Sequence, residues 1–516
     1  MTERIETQVL IIGGGVTGAG LARDLALRGV ECVLVERHEA AAGASGANHG
    51  LLHSGGRYIV SDTATALECR DESRLLKRLA PSCIEDCGGL FVALPGDDEG
   101  YLTAFAEKCA AQGLPCQAVE PRLAREMEPG LVREATAVYA VEDGSVNPFK
   151  LTLDNLLDAQ SRGARVYMRA SVEGMRRGGR RVTEAVLRVK GRKVVAEAGQ
   201  VVNAAGAWAG RVAAMAGVRL PMVYSKGTLL ISLMRLAHRV LNRLRPPGDG
   251  DIIVPGGTVS VLGTTSVRVE DPDHLAITMP EVDLLVEEGA QLWPGLKEAR
   301  FIRAYAGVRP LMAEGPGEGG DRGIKRGFVL LDHEAQGLDN FITISGGKMT
   351  TYRLMAEKAA DLVCRRLGVD RPCLTAEEPL PAPPATAWME PYHLRRQWLA
   401  CHDPADVLLC ECEMVPTSAV DQIAADMLAR SESLSLRGVF LRSRMGRGTC
   451  QGSFCSHRLV AHWYENGLLG DGEGLRLVRD FFESRWHGTR PVLWGAQLTQ
   501  AQLQEAVCFG LMGLEL

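Results

Sequence analysis

The stretch QVLIIGGGVTGAGLARDLALRGVECVLVERHEA, Gln8 to Ala40, decides the fold. It reads as an apolar strand, a glycine turn, a helix with apolar residues at helical spacing through Leu21, Leu25 and Leu27, and a second strand ending in Glu36. That is a βαβ unit. Gly13 permits the tight turn, Gly15 lets the backbone approach a pyrophosphate, and Gly18 lets the helix lie close on the strand, while the helix N-terminus offers free N–H groups to phosphates. Glu36, with Arg37 beside it, stands where a ribose would be held. These offsets predict an α/β dinucleotide-binding domain of Rossmann type and leave open whether the nucleotide is NAD or FAD.

The next segment, AAGASGANHGLLHSGGRYIV, is too rich in glycine to form a second regular helix at once and can lie flat against a ligand. Its polar members Ser45, Asn48, His49 and His53 suit phosphate or ring atoms, which leans toward a flavin, and Arg57 and Tyr58 follow directly. Farther along, QVVNAAGAWAG brings a strand into a small-residue turn at Asn203 and Gly206. The segment NFITISGGKMTTYRLMAEKAADLVCRRLG then gives a strand, a double glycine at Gly346 and Gly347, and a long helix expected from about Met349. A helix N-terminus at Gly346, Gly347, Met349 and Thr350 would stabilise negative charge on the pyrimidine edge of a reduced flavin. Between about Leu220 and Leu331 the pattern changes to short alternating strands bounded by Gly and Pro, which predicts a separate antiparallel sheet.

With 516 residues and 46% hydrophobic content, two or three domains are expected. No basic stretch leads into a cleavable apolar one and no eighteen uncharged apolar residues run together, so we expect a cytoplasmic protein. A net charge of −5 with dispersed basic residues gives no field for nucleic acid. The richest basic cluster, RLAHRVLNRLRP from Arg235, reads as a solvated helix face and at most a weak docking patch. Among 14 cysteines, Cys410 and Cys412 form C-x-C and Cys450 and Cys455 form C-x4-C inside RMGRGTCQGSFCSHR. Residues two apart on an extended segment point the same way, so the two pairs can present four thiolates to a 2Fe-2S cluster; zinc, or plain structural cysteines, are the other readings. Arg442, Arg444 and Arg447 stand beside the second pair and would either offset its charge or form a solvated basic loop.

IIGGGVTGAGLARDLALRG, NHGLLHSGGRY, NAAGAWAG, AGVRPLM and ISGGKMTTYRLMAE, in that order, resemble the FAD-dependent glycerol-3-phosphate dehydrogenases of the D-amino-acid oxidase type over essentially the whole length. LLCECEMV and GTCQGSFC place the resemblance with the anaerobic branch of that family, whose flavin-binding chains work with B and C subunits to pass electrons to quinone. The resemblance implies FAD, sn-glycerol 3-phosphate as substrate, a 2Fe-2S cluster in a small domain similar to bacterioferritin-associated ferredoxin, and peripheral membrane association through the partners. It puts Arg57, Tyr58, Arg309, Arg326 and Lys348 at the substrate. His53 or a neutral Lys348 is the candidate base, and Thr228 stands where the aerobic relatives carry a histidine, so the base is left unassigned.

The resulting division is an FAD-dependent oxidoreductase over 1–375, with nucleotide-binding segments at about 5–90, 145–218 and 327–375 and a substrate sheet (α+β) inserted at about 91–144 and 219–326. A Pro/Ala-rich linker follows at 376–400, then a mainly helical cysteine-rich 2Fe-2S domain at 401–470. The tail, 471–516, packs on its own domain or meets another chain of the complex. Rival readings are a flavin dehydrogenase of L-2-hydroxyglutarate or an amino acid, against which GVRP and GGKMTTYR argue, and a non-catalytic electron-transfer protein.

Overall fold

The strand Glu3–Ile12 carries an unbroken apolar run, Val9 to Ile12, because both its faces are covered. In the computed structural model, which describes residues 3–312, 327–381, 398–400, 402–430, 432–511 and 513, this strand is central to an eight-stranded sheet. It pairs in parallel with Cys32–Val35 on one side and Arg192–Asn203 on the other, and Phe341–Gly346 adds in parallel beyond the latter. Ile12, Val35 and Asn203 lie in register, so Gly13, Glu36 and Ala204 leave the sheet together at its carboxyl edge, the place where open α/β sheets bind ligands. Helices Val16–Leu27, Pro148–Ser161 and Tyr352–Leu367 cover one face through Leu21, Leu25, Leu156, Ala356 and Val363.

The glycine spacing has direct steric causes. A Cβ on Gly18 would lie well inside van der Waals contact with the Gly13 carbonyl oxygen, and one on Gly20 would reach the Tyr352 ring at 3.0 Å. Gly18→Ala therefore forces the helix off the strand, and we expect a loss of about 1–3 kcal/mol, the usual cost of overpacking, read as a lower urea midpoint at unchanged slope.

The second sheet has nine strands. Met222–Ser232 pairs antiparallel with Phe301–Met312 along its whole length. The expected antiparallel order holds except at one junction, where Val240–Arg243 and Gly89–Ala93 run parallel and join strands from the 89–141 and 222–312 stretches into one sheet. The Arg235 cluster is not a solvated helix face. Val240, Leu241 and Leu244 are fully buried on and beside a strand, and the arginines pair with carboxylates: Arg235 with Glu85, Arg239 with Glu128, Arg243 with Asp97, and Arg245 with Asp251 and Glu288.

The C-terminal part is mainly helical around Trp463, Phe482, Val439 and Leu459, with a small hairpin of Leu408–Cys410 and Val415–Pro416. The expected start of a separate tail at 471 is corrected: helix Glu473–Thr489 adds Val478, Phe481 and Phe482 to this core, one apolar stripe at helical spacing. Val492 then packs into the core of the second sheet and Gln497 donates to the Phe301 carbonyl at 2.8 Å, while Leu498 and Leu503 stay exposed. Of the expected linker, 382–397 lies outside the described residues. Among the described residues no helix is long and apolar enough to cross a membrane.

Candidate active site

Gly13 has φ +119°, and a Cβ there would meet the Ala204 carbonyl oxygen at 2.5 Å, so only glycine lets the two turns pass at this edge. Gly15 caps the helix Val16–Leu27 without a side chain, and Ser45 Oγ accepts from Val16 N at 3.0 Å, which folds the small-residue segment over the helix N-terminus. Glu36 accepts from Gly14 N and His38 N, both at 2.7 Å; each carboxylate oxygen keeps a second lone pair for a ribose hydroxyl. Arg37 lies 4.8 Å over the Trp208 ring and pairs with Asp273, which also accepts from Trp208 Nε1 at 2.7 Å. The sequence reading misses Trp208 and Asp273: Trp208 lies inside one of the small-residue motifs, but nothing in the sequence links it to a residue 65 positions on.

Two candidate ligands shape the site through the backbone instead. Asn48 donates to the carbonyls of Ala44 and Ser45 and accepts from Gly50 N, and Asn203, fully buried, donates to Ala209 O and Thr343 Oγ1. Gly206, Gly346 and Gly347 all have positive φ, and a Cβ on Gly346 would meet Gly327 O at 2.8 Å. The helix expected from Met349 begins at Tyr352, because residues 348–351 form a turn closed by Lys348 N donating to Thr351 Oγ1. Thr350 is buried in that turn and accepts from His53 N at 3.1 Å, tying the two distant loops together.

The cationic residues gather beside these loops. Lys348 Nζ sits 4.2 Å from the centre of the Tyr58 ring, and the His53 ring is 5.2 Å from Tyr58 on another side. Arg309 donates to Ser225 Oγ, Thr264 Oγ1 and Thr265 O, and lies flat against Gly227, where a Cβ would reach its guanidinium at 2.7 Å. Arg57 is buried and donates to Asp251 Oδ2 at 2.8 Å; burial alone would raise that carboxyl, but Arg57 and Arg245 hold it below the usual range. Burial, helped by Arg309 and Arg57, pulls the His49 imidazole down to about 3, so His49 is neutral. Burial raises the Glu68 carboxyl against the attraction of Lys348, which places Glu68, absent from the sequence reading, near this group. Thr228 is locked into a buried network, donating to Glu281 at 2.9 Å beside the Lys226–Glu281 ion pair. Arg326 lies outside the described residues.

In the C-terminal domain the four cysteines of the two pairs meet. The thiol of Cys455 contacts those of Cys410 and Cys450, and Cys450 contacts Cys412; these contacts pull Cys450 and Cys410 down and push Cys455 and Cys412 up. Backbone N–H groups of Glu413, Cys450, Gly452 and Phe454 donate to the sulfurs. Met414 (φ 51°) and Gln451 (φ 50°) are held left-handed around them, a strain that persists only where its surroundings enforce it. A Cβ on Gly448 would overlap Cys412. Arg442 and Arg444 do not face the thiols as expected, because they are bound to Glu432 and Glu413; the cations that feel Cys455 are Arg485 and Arg458, the latter paired with Glu411. Among the described residues no three or more His, Cys, Asp and Glu side chains are arranged around a single ion.

Residues 8–362 match the model of the FAD dependent oxidoreductase family. The chain is 42% identical to the A subunit of the anaerobic glycerol-3-phosphate dehydrogenase of Escherichia coli (strain K12) over 532 aligned positions, covering 99% of this chain and 97% of that one. It is 40% identical to the A1 subunit of the same enzyme from Haloferax volcanii, covering 96% and 89%. Among solved structures, the glycerol-3-phosphate dehydrogenase of Bacillus halodurans complexed with FAD shares the fold with a TM-score of 0.63 at 20% identity, over 95% of this chain and 96% of that one. Glycine oxidase of Geobacillus kaustophilus gives 0.58 at 24% identity, over 70% and 95%. With the nucleotide turn, its covering loops and the four thiols all on one chain, this protein belongs to the FAD dependent oxidoreductase family and groups there with the A subunits of the anaerobic glycerol-3-phosphate dehydrogenases.

Proposed function

We propose that the protein oxidises sn-glycerol 3-phosphate to dihydroxyacetone phosphate with FAD, and passes the electrons through a 2Fe-2S cluster to B and C partner subunits and so to quinone. The observation that carries the substrate assignment is Lys348 over the Tyr58 ring directly after the double glycine, with His53 against Tyr58 and His49, which feels the charges of Arg309 and Arg57, against His53. FAD fits the residues present: the close passage at Gly13, the uncapped N-terminus after Gly15 and the Ser45 loop form a cradle for its pyrophosphate, Glu36 suits its ribose, and Arg37 with Trp208 flanks that end. The bound cofactor supplies the hydride acceptor. A 2Fe-2S cluster fits the four thiols, whose backbone donors suit a thiolate-bound anionic centre, and it would carry the electrons one at a time.

The protein's own contribution is binding, orientation and one proton transfer. Arg309 is already oriented by Ser225 and the 264–265 turn, and its fork suits a phosphate. Lys348, its ammonium 4.2 Å over the Tyr58 ring, binds the anion, and His53, against the same ring, takes the proton of the C2 hydroxyl. Neutral His49 adds no charge to the site. Arg57, fixed by Asp251, extends the positive field without swinging into the pocket. Adding sn-glycerol 3-phosphate without oxygen should bleach the flavin absorbance within seconds, while L-2-hydroxyglutarate leaves it unchanged. Bleaching by L-2-hydroxyglutarate alone would refute the substrate assignment.

A further inference from the structure

Between the catalytic body and the C-terminal domain lies a cavity of about 1490 Å³, bordered by Asn48 and His49 of the small-residue loop but not by Tyr58, Arg309 or Lys348, and larger than the roughly 300–1,000 Å³ of an ordinary small-molecule pocket. Arg303 enters it from the second sheet, Arg447 from the loop before Cys450, and Arg485 from the helix Glu473–Thr489. The three come from segments far apart in the chain, yet Arg485 faces the charges of both others. Arg303 Nε is buried with no hydrogen-bond partner. Arg447 lies 4.8 Å over the Phe149 ring with only long contacts to Asn147 and the Leu441 carbonyl, and Arg485 lies 5.0 Å over Phe481. Among the described residues none of the three has a carboxylate within ion-pair distance.

The acids on the same wall do not compensate them. Glu413, Asp154, Asp158 and Glu85 are bound to Arg444, Lys150, Arg23 and Arg235, and Asp426 and Asp480 are exposed to water. Enclosed guanidinium groups that repel one another without a counter-charge are costly, and the cost is relieved when an anion enters. Apolar side chains line much of what remains, among them Phe440, Leu477 and Leu157, while Leu441 packs on the core that holds Leu153. A bare phosphate would leave most of that surface wet.

We propose that this cavity is a second ligand site, for an anionic amphiphile whose phosphate or carboxylate head meets Arg303, Arg447 and Arg485 and whose alkyl chain lies along the apolar lining around Phe440 and Leu157. The site does not depend on the substrate assignment above. The thiolate centre does not account for the arginines by itself: Cys455 attracts Arg485, whereas the charges that act on Arg303 and Arg447 come from Tyr305, Arg437, Arg444 and Glu413.

The test is binding of dodecyl phosphate to the full FAD-loaded chain, by native mass spectrometry and calorimetry, against inorganic phosphate and the neutral detergent dodecyl maltoside. We expect one molecule per chain, held at least tenfold more tightly than either control, and at least tenfold weakening in Arg303→Gln with Arg447→Gln. Circular dichroism and retained flavin check the fold of that variant. Should it fail to fold, Arg303→Lys, which keeps the charge and removes the fork, takes its place and should weaken binding by a smaller factor. Extraction of the purified protein identifies the natural source, a phospholipid or a free fatty acid; either supports the site. Equal binding of the neutral detergent, binding unaffected by the substitutions, binding seen only after iron is stripped, or occupation only by an acidic protein partner would overturn it.

Discussion

Arg309→Met combined with Lys348→Met lowers kcat/KM for sn-glycerol 3-phosphate by roughly 10²- to 10⁴-fold, since each lost charge-assisted contact to the phosphate contributes about 1.5–3 kcal/mol. The loss falls mainly on KM if the phosphate is bound equally in ground and transition states, and on kcat as well if those contacts set the angle of C2. Each single substitution should cost about 10- to 150-fold. The double should fall short of the product, because two cations sharing one dianion are coupled. Lys348 rests on Tyr58 and Arg309 on Gly227, the second sheet supporting the latter, so methionine fills similar space and the flavin stays bound. Steady-state kinetics with an artificial acceptor measures the split; a double variant within threefold of the parent would remove both residues from the substrate site.

The nucleotide domain was legible because its signals are local. Thirty-odd residues from Gln8 hold the strand, the glycines, the helix and the acid, and the structure returns them in the expected register with Ile12 beside Val35. What stayed illegible depends on partners far away in the chain. The arginines after Arg235 read as solvated because their carboxylates lie at Glu85, Asp97, Glu128 and Glu288, on segments remote in the chain. Arg57 looks free until the fold brings Asp251 against it, 194 positions on. Asn48 and Asn203 have the chemistry of ligands, but small-residue turns consume their hydrogen bonds to stay folded. The cavity arginines carry no motif, since Arg303 and Arg485 meet only through packing of helix Glu473–Thr489 on strand Phe301–Met312. The cysteine spacing, by contrast, announced convergence of the thiols, because two residues on a hairpin and two flanking a glycine turn are close by construction.

If the four thiols hold the proposed 2Fe-2S cluster, Cys455→Ser should remove its chromophore and leave the flavin in place. Cys455 occupies the middle of the thiol set, touching Cys410 and Cys450, so its loss breaks the set at its centre, where Cys412 reaches only Cys450. A serine hydroxyl is a harder and far less acidic ligand than a thiol and holds iron poorly. The side chain is almost fully buried but nearly isosteric, and the neighbouring core of Trp463, Leu459 and Phe482 is untouched, so the domain should keep its fold. Iron should fall from about two atoms per chain to a small fraction of that. Anaerobic bleaching of the flavin by sn-glycerol 3-phosphate should proceed at the parental rate, because His53, Arg309 and Lys348 belong to the other body. Re-oxidation by the proposed partner chains should slow by orders of magnitude, because the cluster proposed to lead the electrons away from the flavin is gone. Cys32→Ser is the matched control: Cys32 is equally buried, and burial pushes its thiol up to about 12, so iron and electron transfer should not change. A parent protein that holds flavin but never iron after anaerobic reconstitution would leave the four thiols a structural cluster, and the electrons would have to leave the flavin by another route.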